Sequence, residues 1–220
     1  MDTKKINKSV LILIIVMTVL SFTNLLNLKV GEETLKLAGI SVIVGIIAYF
    51  TTRKTNEIKT EGLDIKSIIS SLKDIKIIVL ILMPTVMNVL CFSVAKFCLP
   101  AYLEHLNSRT NFVDVSELIK SVLEVFVLAL GEEIAWRAFF QKQTSKVMPF
   151  IPSLIITSIL FSLGHFNPGN TIIVFYDLLF VFINALFYGI VFKKTDNAWC
   201  SAVSHFIANL SGLFILNLFI

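Results

Sequence analysis

The run VFVLALGEEIAWRAFF, residues 125–140, decides the fold. Three ionisable residues, Glu132, Glu133 and Arg137, sit in a segment that is otherwise almost wholly apolar. Such a run is either a buried helix of a soluble enzyme or a membrane-embedded helix that carries chemistry. Composition separates the two. Hydrophobic residues make up 56% of the 220 residues and charged residues 15%, against roughly 25% charged in a soluble protein. Mean hydropathy is +0.85. A water-soluble fold of this size cannot hide so much apolar side chain, which excludes a soluble enzyme, a disordered chain and a nucleic-acid binder.

Outward from that run, further apolar segments mark an all-α, polytopic transmembrane bundle of about seven spans, with six to eight possible. They fall at 9–28, 35–52, 77–97, 118–140, 149–166, 171–192 and 198–219, near the length needed to cross a bilayer. Strands of this length would alternate, and these do not. Lys4, Lys5 and Lys8 precede the first span, but no small-x-small cleavage site follows it, so it is expected to be an uncleaved helix. With the N-terminus in the cytoplasm, thirteen Lys and Arg fall inside and five outside, Arg137 set apart. The cysteines, Cys91, Cys98 and Cys200, form no CxxC pair and are expected to pack as small apolar residues. Two parts are expected. Residues 1–117 hold N-terminal spans, an outer loop, 98–117, and a cytoplasmic loop, 53–76, whose Ile65, Ile68, Ile69 and Leu72 recur at helical spacing, so that it is either an amphipathic surface helix or a solvated linker. Residues 118–220 hold the chemistry.

Ionisable groups within spans are costly and usually functional. Here they are Glu124, Glu132, Glu133, Arg137, His165, Asp177 and His205. Most fall into three short strings, GEEIAWR, FSLGH and HFIAN. Glu133 and Arg137 are four apart and meet on one helix face, where the pair neutralises one carboxylate. Glu132 points about 100° away and suits a general base that activates water. Phe161 lies one turn before His165, so a ring sits beneath the imidazole. His205 and Asn209 share a face and can aim two donors at one point, as an oxyanion hole does. Taken singly, each string also fits ordinary helix–helix glue.

Together and in this order, the strings resemble the CAAX-processing and bacteriocin-processing (CPBP, formerly Abi) intramembrane endopeptidases. The family pattern is EExxxR, then FxxxH, then HxxxN or HxxxD, and Glu132, Glu133, Arg137, Phe161, His165, His205 and Asn209 match it in register over about 118–215. The resemblance implies peptide-bond hydrolysis in a bacterial plasma membrane. Glu132 and His165 would activate the water, His205 and Asn209 would stabilise the oxyanion, and Glu133 with Arg137 would support the site. The implied partners are a membrane-associated or secreted peptide and the lipid bilayer. Bacteriocin self-immunity by binding on the same fold is the alternative, and an ion or proton carrier using Glu124, Glu132, Asp177 and the histidines a third.

The residue types leave a metal open, since Glu132, His165 and His205 could be three ligands of a catalytic zinc. Asn209 is a poor zinc ligand and no HExxH pair occurs, so the preferred reading needs no cofactor. Helical rise gives one conflict. Measured from the nearest turns, Glu132 and His165 lie about 21 and 24 Å deep, but His205 only about 14 Å. The mismatch of roughly 10 Å calls for tilted, broken or unequal helices.

Overall fold

The structure is a computed structural model describing residues 6–26, 29–30, 33–34, 37–55, 62–110 and 118–219. Helix α1 (Lys8–Phe22) starts at Asn7, whose side chain accepts the Ser9 N–H, and tightens into a 3-10 turn at Thr23–Leu26. A two-residue hairpin, β1 (Lys29–Val30) and β2 (Glu33–Thr34), precedes α2 (Ala38–Thr55). Then come α3 (Ile65–Ser71), α4 (Ile75–Cys98) and α5 (Ala101–Thr110). Helix α6 (Leu118–Glu133) passes into a π-helical segment (Ile134–Gln141) and a last α turn, α7 (Lys142–Thr144). Helices α8 (Phe150–Gly164), α9 (Thr171–Thr195) and α10 (Ala198–Phe219) complete the bundle.

The expected all-helical bundle is present. Among the described residues, four segments are long and apolar enough to cross a membrane: Lys8–Leu26, Ile75–Cys98, Thr171–Thr195 and Ala198–Phe219. Ala38–Arg53 and Phe150–Gly164 are apolar but shorter. Residues 118–144 form one unbroken rod, yet its charges keep it from reading as an apolar span. Each rod divides its faces by helical spacing. On α1, Val10, Ile14, Met17 and Ser21 are buried while Ile12, Ile15 and Val19 are exposed. That outward apolar face has no place in water and fits contact with lipid.

Two stretches that the sequence suggested were connections contain helix. In 53–76, α3 is capped by Asp64, which accepts the Lys66 N–H at 2.9 Å. Its Ile68 packs against the cluster of Ile77, Ile81, Val191 and Cys200, while Ile65 and Ile69 stay exposed. In 98–117, Leu99-Pro100 opens α5, and Tyr102, Leu103 and Leu106 sink into a core with Cys91, Phe92 and Leu216. Residues 56–61 and 111–117 lie outside the described set.

Side-chain contacts define the two ends of the bundle. At one, Lys142 Nζ donates to Asp196 Oδ1 at 2.8 Å, and Asn197 Nδ2 donates to the Asp64 carbonyl and Ser67 Oγ, both at 2.7 Å. Asp196 caps α9 in the left-handed conformation, φ 46°. At the other end, Asn24 Nδ2 donates to the Gly164 carbonyl at 2.8 Å, and its Oδ1 accepts the Ala38 N–H at 3.4 Å. The largest core, built on Phe139, Phe140, Trp136 and Phe192, lies toward the first end.

Candidate active site

The GEEIAWR string spans the change from α to π geometry, which begins at Ile134. A π stretch widens the helix and recurs at functional sites. Helix α2 approaches closely here because Gly45 has no side chain: a Cβ there would lie 2.5 Å from the Ala135 Cβ. The segment therefore sits deep, with Ile134 through Gln141 all buried.

Glu133 and Arg137 form the expected pair, with Arg137 NH1 3.3 Å from Glu133 Oε1 and both side chains at 0% exposure. A buried ion pair needs further partners to offset desolvation. Arg137 NH2 donates to the Ala185 carbonyl at 3.1 Å. The guanidinium carbon also lies 4.5 Å from the Phe161 ring centre and 5.5 Å from that of Tyr188, which holds the cation between two π faces.

His205 is the link to the reactive side. Its Nδ1 lies 3.0 Å from Glu133 Oε1, so the Nδ1–H donates to that carboxylate. Its Nε2 then faces Glu132 Oε2 at 3.7 Å. Tyr188 stacks flat on the imidazole, centroids 4.4 Å apart and planes 18° from parallel. From the sequence, His205 was paired with Asn209; in the structure both carboxylates engage its ring. Glu132 differs from its neighbour in access, at 23% exposure.

His165 ends α8, and its Nδ1 lies 2.9 Å from the Phe161 carbonyl. A carbonyl only accepts, so Nδ1 carries the proton and Nε2 the lone pair. The Phe161 ring lies 4.6 Å from His165 and 5.9 Å from His205, so one aromatic separates the two imidazoles. Glu132, His165, His205 and Asn209 all line one cavity of about 640 Å³. Glu133 and Arg137 are sealed behind it. Asp177 also lines the cavity, accepting from the Tyr102 hydroxyl at 3.3 Å, whereas Glu124 does not line it.

The depth conflict disappears once a common zero is used. Lys142 bonds Asp196, and Glu132 lies ten residues before the first while His205 lies nine after the second. At 1.5 Å per residue both stand about 14–15 Å from the same level. The conflict came from measuring the first helix to its far turn.

Several cavity residues belong to no motif. Asn184 Nδ2 donates to Asn88 Oδ1 at 2.8 Å, and Asn88 Nδ2 donates to the Ala208 carbonyl at 2.7 Å, tying α4, α9 and α10 together beside Asn209. Asn24 holds the backbone immediately before His165. All three, with Tyr188, line the cavity. Their signal in sequence is faint: single polar residues within apolar runs.

A zinc held by Glu132, His165 and His205 would need these groups around one point. Among the described residues no three His, Cys, Asp or Glu side chains gather as a metal site requires. The residues as placed do not fit that ligand set.

No curated protein and no solved structure matches the chain. Residues 114–211 match the family model described as Rce1-like: Type II CAAX prenyl endopeptidase Rce1-like. That stretch holds all seven motif residues from Glu132 to Asn209, and over it the chain is similar to the Rce1-like family of type II CAAX prenyl endopeptidases.

Proposed function

We propose that the protein is an intramembrane endopeptidase that cleaves membrane-associated or secreted peptides. The observation that carries this reading is the division of two adjacent carboxylates, Glu133 locked to Arg137 at 0% exposure and Glu132 open to the cavity at 23%. Glu132 takes a proton from water, and the oxygen attacks the scissile carbonyl carbon. The His165 Nε2 lone pair orients that water by accepting its second O–H. The Asn209 amide donates to the resulting oxyanion, aided by His205 through Nε2 when that ring carries a second proton. Collapse breaks the C–N bond, and the proton on Glu132 passes to the leaving amine. Glu133 holds His205 in register and Arg137 holds Glu133. No step runs through a metal.

Seven rods, α1, α2, α4, the 118–144 rod, α8, α9 and α10, are read as crossing the membrane, with the basic end in the cytoplasm. The helices of 118–220 carry the chemistry, and the N-terminal helices complete the cavity wall.

The test is cleavage of a pool of short peptides by the purified protein, with and without chelator, read by mass spectrometry. Cleavage that resists chelator and vanishes in Glu132→Gln is expected. Absence of cleavage by folded wild-type protein, or cleavage unchanged in Glu132→Gln, contradicts the reading. Protection against a peptide toxin that survives Glu132→Gln would favour the binding alternative.

A further inference from the structure

The cavity is one-sided along the bundle. On α2 it takes Ala38, Gly39, Ser41 and Val42, the start of the helix, and on α4 it takes Asn88, Cys91 and Phe92, the later half. On α8 it takes only the end, from Phe161 and Gly164 into Asn167. On α10 it begins at His205 and runs to Leu216. All these positions lie on the Asn24–Gly164 side. The first halves of α4 and α8, and α10 before His205, contribute no lining residue. Toward the opposite end the cavity stops at Trp136 and Tyr188, behind which Phe139, Phe140 and Phe192 are buried.

Charge marks the closed end. Lys8, Arg53, Lys66, Lys142, Lys193 and Lys194 all belong to helix ends on the Lys142–Asp196 side. Basic residues of a membrane bundle collect on the cytoplasmic face. The catalytic groups are therefore the floor of a well whose mouth is at the opposite face. The walls suit water and an extended chain: Asn24, Asn88, Asn167 and Asn184 supply neutral donors and acceptors above the floor. Polar side chains in a bundle face the interior or a watered cavity rather than lipid.

We propose that this site is entered from the extracytoplasmic side, so that its substrate is a peptide presented there, an exported chain or one held in the outer leaflet, and not a protein anchored at the cytoplasmic face. This deepens the peptidase reading and rests on it for the word substrate, but the direction of access is testable without turnover.

The experiment is thiol labelling in intact cells with a membrane-impermeant maleimide, on a background with Cys91, Cys98 and Cys200 replaced by Ala. Three single cysteines report. Gly39→Cys sits at the mouth, where an added Cβ meets nothing within 4 Å. Val181→Cys lies on the cavity wall, and Lys73→Cys on the exposed surface of the basic end. The expected result is labelling of Gly39→Cys and Val181→Cys in intact cells, and of Lys73→Cys only after the membrane is opened. Labelling of Lys73→Cys from outside reverses the orientation and overturns the proposal. Failure of Val181→Cys to label from outside, with Gly39→Cys labelled, shows a mouth without a passage and overturns it too. The mouth position alone decides the orientation if Val181→Cys does not accumulate. If the purified protein cleaves no peptide while the labelling comes out as expected, the peptidase reading falls and the outward-facing well stands.

Discussion

Glu132 and Glu133 are neighbours in sequence and opposites in environment. Glu133 has a guanidinium at 3.3 Å, an imidazole at 3.0 Å and no exposure. Glu132 has an imidazole at 3.7 Å and partial exposure to the cavity. The difference teaches how one helical turn can serve two purposes. On the proposed reading, a carboxylate held by a fixed cation and a donor is a strut, while one with a single partner and room for water is a reagent. Burial and partners, not residue type, divide the two.

The comparison breaks most sharply at Glu132. Glu132→Gln keeps size and polarity but removes the proposed base, and peptide cleavage is expected to fall by about 10²–10⁴-fold with the melting temperature unchanged. Glu133→Leu does the reverse. It leaves Arg137 buried without its carboxylate, which costs about 3–5 kcal/mol of stability, read as a fall in melting temperature and in the folded fraction. Replacing Arg137 with Met in the same chain is expected to restore folding but not cleavage, because His205 still lacks its Nδ1 partner. Gly45→Val tests the scaffold behind both. With Ala135 and Met17 in the way, overpacking should cost about 1–3 kcal/mol in thermal unfolding. Tyr188→Leu removes the ring stacked on His205, worth about 0.5–1.5 kcal/mol, and should lower kcat more than it raises KM. The smallest effect belongs to Lys142→Gln. Its partner Asp196 is 59% exposed, and a surface pair contributes at most about 1 kcal/mol, against the larger cost for the sealed pair.

The rods and the three motif strings were legible in the sequence because each rests on short spacing. The Glu133–Arg137 pair and the Phe161–His165 ring contact are both four residues apart, and both formed. What escaped depends on distant partners. Asn24 acts on Gly164 across 140 positions and Asn184 on Asn88 across 96, and an isolated asparagine in an apolar run announces neither. The seeming misplacement of His205 has the same origin. Depth along a helix is readable from residue number, but the zero is set by a contact between helices, here Lys142 with Asp196. Helix α5 is hard to tell from a loop in sequence because its buried face, Tyr102, Leu103 and Leu106, is only one turn and a half long.

The central claim is that Glu132 is the reagent and Glu133 the strut. The most direct measurement is cleavage rate and melting temperature on the same purified preparations of wild type, Glu132→Gln and Glu133→Gln. The expected result is a Glu132→Gln protein that melts like wild type and does not cleave, beside a Glu133→Gln protein that melts lower. A Glu132→Gln protein that cleaves at the wild-type rate, or two variants that lose stability alike, would contradict it.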